Sequence, residues 1–176
     1  MRLASIALML LVPLCSTAQA IELRHGADWR LYRNDRYGVT LSVPERYFRP
    51  ERRSPAGDAD LFVSHTGSAR LLVGALRNSD RHTVASYQRE VERRSYSGFQ
   101  VTYRKAGRDW FVVSGRGQGK IFYEKVIFSC VGRLINSFAL VYDARASHVY
   151  DRVVEAIEPT LRPGGCQAPD RPEDDS

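Results

Sequence analysis

Lysine is nearly missing from this chain: of 26 Lys and Arg residues, only Lys105, Lys120 and Lys125 are lysine. The positive excess is therefore arginine, and it reads either as a binding surface or as the codon bias of a GC-rich genome. Cysteine is also scarce, with three in 176 residues. None forms a Cys-x-x-Cys pair, which excludes a zinc ribbon or a thioredoxin-like motif. The four histidines, His25, His65, His82 and His148, are scattered and lack the spacing of a helical metal pair. No apolar run reaches the roughly 18–20 residues of a membrane span. Internal repeats are absent. These gaps leave no metal, no cofactor and no transmembrane helix to expect.

Arg2 precedes an apolar run from Leu3 to Leu14, and Ala18-Gln19-Ala20 follows. A positive start, a short apolar stretch and a small-x-small site form a secretory signal peptide, cleaved after Ala20. Pro13 and Leu14 stand where a lipobox before Cys15 requires small residues. The expected organisation is a signal peptide over 1–20, one domain over 21–166 and a disordered acidic tail over 167–176 that is poor in apolar material. The expected location is the periplasm or the exterior. In that setting Cys130 and Cys166 point to a disulfide closing a loop of roughly three dozen residues, worth about 3–4 kcal/mol. Two independent thiols are the alternative.

The formal net charge is +6. Removing the leader and the acidic tail leaves the body at about +8, a field that draws anionic partners. An exported protein rarely meets nucleic acid, so a protein or an anionic envelope component is the expected partner. Oligomeric state is not legible. Arg49, Arg52 and Arg53, within a polar stretch over 45–58 read as a loop, form the densest basic cluster.

Asp109 to Tyr142 organises the rest: three apolar runs separated by two Gly-bearing breaks, the pattern of an antiparallel meander. In the middle run, Ile121, Tyr123, Lys125 and Ile127 share one face, and Phe122, Glu124, Val126 and Phe128 share the other. Both faces are mostly apolar, so this strand is central and covered on both sides. Glu124 and Lys125 then point opposite ways. Each either pairs or reaches the sheet edge, or Glu124 lines a ligand groove, since a lone buried charge is costly. Trp110, Tyr103, Tyr123 and Tyr142 lie at comparable places on neighbouring strands. They read as cross-strand packing or as the lining of a groove near Glu124 and Lys125.

Upstream, Trp29–Arg33 and Tyr37–Pro44 read as strands, and 61–63 with 71–76 as a hairpin. Val84, Tyr87, Gln88 and Val91 fall at helical spacing behind Thr83, predicting a helix over 83–95. A strand over 99–104 precedes the meander. Val149, Tyr150, Val153, Val154 and Ile157 form a second helical stripe, with Ser147 as its candidate cap. About eight strands and two helices predict an α+β domain with a central antiparallel sheet of about 6–8 strands. Gly115–Lys120 fails as a phosphate loop, because Ile121 follows the lysine and the segment joins two strands. Ser114 lacks the flanking glycine of a nucleophile elbow.

Asn34–Pro44, NDRYGVTLSVP, resembles the opening motif of the PsbP-like superfamily, which includes DcrB-like envelope proteins and Ran-binding Mog-type proteins. Residues 34–162 follow that family's order of elements, and GKIFYEKVIFSC is similar to segments of exported bacterial members. The resemblance implies an α/β/α sandwich and a non-enzymatic binding or accessory role, and it carries over no functional residues. Two other classes stand beside it: a periplasmic hydrolase with a spatially assembled site, and a secreted inhibitor or immunity-type protein inserting 49–53 or 115–119 as a loop.

Overall fold

In the computed structural model, residues 28–166 are described. The leader expected over 1–20, His25 and the acidic tail expected over 167–176 fall outside them. Two strands, β1 (Trp29–Arg33) and β2 (Thr40–Pro44), form a small antiparallel sheet. The main sheet is built from β3 (Phe48–Arg53), β4 (Ala59–Ser64), β5 (Ala69–Arg77), β6 (Gln100–Ala106), β7 (Trp110–Gly117), β8 (Lys120–Ser129) and β9 (Leu134–Asp143). Helix α1 (Val84–Ser95) links β5 to β6, and α2 (Ser147–Ile157) follows β9. The order across the main sheet is β3-β4-β5-β9-β8-β7-β6, antiparallel throughout. The meander thus folds back so that β9 docks on β5, joining two hairpin systems into one α+β sheet with a helix on each face.

Each element follows from its residues. β8 alternates between buried and half-buried positions along its length, as a central strand with two covered faces must. β7 turns into β8 through Gln118 and Gly119, both at positive φ, the two-residue connection that matches strand twist. Thr83 caps α1 through a reciprocal capping box with Ser86.

Three expectations change. The stretch over 45–58 contains β3. Its Arg, Glu and Pro residues, and the bulge between Pro50 and Arg52, are the marks of a guarded edge strand and disguise it as a loop. A protruding inhibitory loop at 49–53 is thereby removed, and 115–119 is mostly paired strand around a tight turn. Ser147 does not cap α2: a short 3-10 turn, Ala144–Ala146, leads into the helix, and no side chain caps it.

Two cores result. On one face, α2 and the β1–β2 sheet cover Leu71, Val73, Phe138 and Leu140, none above 0% exposed, together with Ile157. The C-terminal segment completes this layer through a bridge between Thr40 and Arg162. On the other face, Val91 and Tyr96 close over Phe111, Val113, Phe122, Val126 and Phe128. Cys130 and Cys166 form a disulfide that fastens the C-terminal segment to the β8–β9 turn, and Gly164 nearby donates its N–H to Asn136 Oδ1 at 2.9 Å. Among the described residues no helix is long and apolar enough to cross a membrane.

Candidate functional site

Helix α1 is too short to cover its whole face. It packs over β7, β8 and the start of β9, where Ile135 is buried, and leaves the β4–β5 side of the face and the middle of β9 partly open. The register places Leu61 opposite Leu72, Leu72 opposite Ala139, Gly74 opposite Ser137 and Arg70 opposite Val141, all on that face. The result is a trough of about 800 Å³, within the range of ligand sites, walled by Tyr87, Val91 and Tyr96 of α1. A shallower hollow continues past Leu76 toward Asn78 and Asp80. Leu72 is 45% exposed and Leu76 40%. Ser137 and Ala139 keep the middle of the floor low, while Asp58 and Ala59 close over Gly74.

The rim is basic. Arg52, Arg70 and Lys120 stand exposed around the apolar floor. Lys120 is held by Asp143 at 2.8 Å, while Arg52 and Arg70 are in no ion pair among the described residues. Arg49 shares this face of β3, across from Val63. Arg53 points to the other face, where Asp60 and Asp35 take its guanidinium at 3.0 and 2.8 Å. The arginine cluster of the sequence is therefore split between a free rim and a structural clamp.

Glu124 is on the trough wall and only 8% exposed. Tyr96 donates its hydroxyl to Oε2 at 2.7 Å, and the Tyr96 ring stacks on Phe122. Burial pushes the Glu124 carboxyl up to about 7, with the Tyr96 hydrogen bond acting in the opposite direction. Burial, and then the Glu124 charge, push the Tyr87 phenol up to about 12.

The other sequence candidates occupy the opposite face. Lys125 donates to Glu158 Oε1 at 2.8 Å and lies 6.0 Å from the centroid of the Trp110 ring. Tyr123 lies near Glu158, and its phenol is raised by burial first and by that carboxylate second. Burial pushes Glu158 up, but the hydrogen bond from Lys125, the nearby Tyr123 hydroxyl and the Lys125 charge leave it below the usual carboxylate range. Tyr103, 48% exposed on β6, completes an aromatic and cationic patch. The structure thus brings Trp110, Tyr103, Tyr123 and Lys125 together and separates them from Glu124 by the sheet. Tyr142 is buried and donates to Asp151 at 2.6 Å.

Sequence reasoning missed Tyr96 and Glu158, which meet their partners 28 and 33 residues away through space. It also missed a grouping of Asp80, His82 and Ser86. His82 Nδ1 lies 3.3 Å from Ser86 Oγ, and its Nε2 lies 3.7 Å from Asp80 Oδ2. Ser86 Oγ is committed elsewhere: it accepts the Thr83 N–H at 2.9 Å as half of the α1 capping box. Asp80 is open to solvent. This is a helix start rather than an activated nucleophile, which requires a serine free to shed its proton to an oriented base. Among the described residues, no group of three or more His, Cys, Asp or Glu could hold a metal ion.

The chain has the PsbP-like, Mog-type fold. It is similar to the solution structure of cyanobacterial PsbP (CyanoP) from Synechocystis sp. PCC 6803, with a TM-score of 0.59 at 12% identity over 78% of this chain and 93% of that one. A similar likeness holds for a mutant form of the protein Mog1, with a TM-score of 0.57 at 10% identity over 78% of this chain and 97% of that one. The Ran-binding protein Mog1p of Saccharomyces cerevisiae superposes with a TM-score of 0.54 at 11% identity, covering 76% and 94% of the two chains. No protein-family model matches the chain, and no curated protein matches it.

Proposed function

We propose that this protein is an exported, non-enzymatic binding module that seats an acidic, amphipathic segment of a partner protein in the trough. The observation that carries the reading is the half-covered sheet face: a largely apolar floor beside α1, with Arg52, Arg70 and Lys120 around it. A partner's apolar stripe would lie on Leu61, Leu72, Leu76 and Val141, the helix-in-groove mode of recognition, and its acidic flank would meet the rim. Charge complementarity of this kind sets partner choice and association rate. The fold supports an accessory role, since one of its solved members is a Ran-binding protein. Export is supported by the signal-peptide pattern over 1–20 and by the Cys130–Cys166 disulfide, a bond that persists in oxidising compartments. On this reading the mature protein is one domain over 21–166 followed by the acidic tail.

The test uses a fluorescein-labelled amphipathic peptide with leucines on one helical face and glutamates on the other. Anisotropy should report saturable binding that weakens as salt is raised. Leu72→Glu with Leu76→Glu, both at exposed positions, and Arg52→Glu with Arg70→Glu should each weaken it by about tenfold or more. Absence of binding by a protein that sediments as a dimer would assign the trough to a second copy. Binding that appears only after 167–176 is removed would assign it to the acidic tail. Retention on anionic vesicles, unchanged by the leucine pair, would move the function to an envelope surface.

A further inference from the structure

The Glu124 carboxyl makes one protein hydrogen bond, and no buried side-chain oxygen among the described residues lacks a partner, so its second oxygen opens to the trough. Oε2 accepts from Tyr96, and Oε1 receives no hydrogen bond from any described residue. Among the described residues no cation forms an ion pair with it. Across β9 the neighbour is Ala139 and across β7 it is Val113, with Ser137 next on the same face of β9. Helix α1 contributes Val91, Tyr87 and Tyr96. The cations Arg52, Arg70 and Lys120 stand at the rim, while burial pushes the carboxyl up and the Tyr96 hydrogen bond acts against it. Its strand neighbour Lys125 faces the other way, into Glu158.

A buried carboxylate without a cation is costly, and the structure offers it neither a salt bridge nor full solvent. The small side chains of Ser137 and Ala139 leave open volume in front of it. We infer that Glu124 is an ammonium-binding site, receiving the side chain of a lysine from the segment docked in the trough. The inference rests on the docking reading above and deepens it. A lysine stem of four methylenes can lie along the apolar floor while its compact head reaches the carboxyl. The docked segment then carries a signature: an apolar stripe, one lysine near its centre, and acidic residues where it passes Arg52 and Arg70. Glu124 held near neutrality would give up its proton when the ammonium arrives, so binding releases protons below pH 7.

The experiment follows the Glu124 carboxyl of the full chain by carbon-13 NMR, with Glu124→Gln assigning the signal and keeping an acceptor for Tyr96. Butylammonium should shift that signal saturably and lower its titration midpoint. Tetramethylammonium, which has no N–H to donate, should not. Two acidic amphipathic peptides, one with a central lysine and one with norleucine there, should differ by about tenfold in affinity, a difference lost in Glu124→Gln. An unmoved carboxyl in saturating butylammonium, or equal affinities in the unaltered protein, overturns the site. If neither peptide binds but butylammonium still shifts Glu124, the docking reading fails and the ammonium site stands.

Discussion

Glu124 and Lys125 are neighbours on one strand, and the sheet gives them opposite circumstances. Lys125 faces the closed side, where Glu158 comes across from the end of α2 to meet it. Glu124 faces the half-open side, where no cation meets it. The two faces differ in the same way as wholes. The α2 face is covered over β5 and β9 by a helix, a second small sheet and a disulfide-tethered C-terminal segment, and opens toward Tyr103 on β6. The α1 face is covered by one helix, and its uncovered half displays Leu72 and Leu76. One face is closed by three elements, and the other keeps part of its area open.

The sharpest way to break the comparison is to remove matched apolar groups from the two sides. Phe138, fully buried on the closed face, should cost about 3–5 kcal/mol when truncated to Ala, because a cavity is left that the layers cannot fill. Leu72→Ala, on the open face, should change stability by no more than about 0.5 kcal/mol. Urea denaturation of the two variants reads this directly. Equal costs would mean that the trough floor belongs to the core.

Next comes the tether. Replacing Cys130 and Cys166 together by Ser should destabilise the protein by about 3–4 kcal/mol through the lost constraint on the unfolded chain. The loss should be accompanied by faster hydrogen exchange at Thr40 and Arg162, whose backbones the C-terminal segment pairs. Peptide binding at the trough should persist in whatever fraction remains folded. Unchanged exchange at Thr40 would show that the closed face does not depend on the bridge.

Titration then separates the two carboxylates. Glu124 is raised in the folded state to about 7, so its contribution is fully present below about 4.5 and is lost as pH rises to about 7. The protein should lose roughly 3 kcal/mol across that window, an order-of-magnitude value for a buried group. Glu124→Gln should flatten that part of the profile. Glu158 is depressed, so its contribution is present above the usual carboxylate value and is lost as pH falls below it. Stability curves from pH 3 to 8 should therefore show a loss at each end, the upper one removed by Glu124→Gln and the acid one shared by Glu158 with Glu90 and Glu92 of α1, so that Glu158→Gln removes only part of it.

How much of this is legible in the sequence depends on range. Period-two alternation along β8 is enough to put Glu124 and Lys125 on opposite faces, and the 3.6-residue stripes of α1 and α2 are equally plain. The hidden β3 has the opposite cause: its Arg-Pro-Glu-Arg-Arg run is what protects an edge, and it carries the composition of a loop. Leu72 and Leu76 look like core because openness is a property of what fails to cover them. Aromatics at similar strand positions suggest one groove near both charges, but the sheet itself stands between Trp110 and Glu124. Tyr96 and Glu158 carry no local signal, since each finds its partner only after the chain has folded back.

The smallest expected effect is the most discriminating. Lys125→Met removes the partner of Glu158 while keeping a flexible apolar stem in place over Trp110. The pair is partly exposed, with 19% and 34% of the two side chains open to solvent, so its loss should cost only about 1 kcal/mol. The depressed titration of Glu158 should move back toward the ordinary range, because the Lys125 hydrogen bond and charge both hold it down. Affinity of the acidic peptide for the trough should not change, since Lys125 lies on the far side of the sheet from Arg52 and Arg70. A variant that weakened peptide binding as strongly as Arg70→Glu would show that the two faces communicate, or that the aromatic patch of Tyr103, Trp110 and Tyr123 is the docking surface. Double-mutant cycles pairing Lys125→Met with Glu158→Gln, and with Glu124→Gln, distinguish these outcomes. Coupling is expected within the first pair and none within the second.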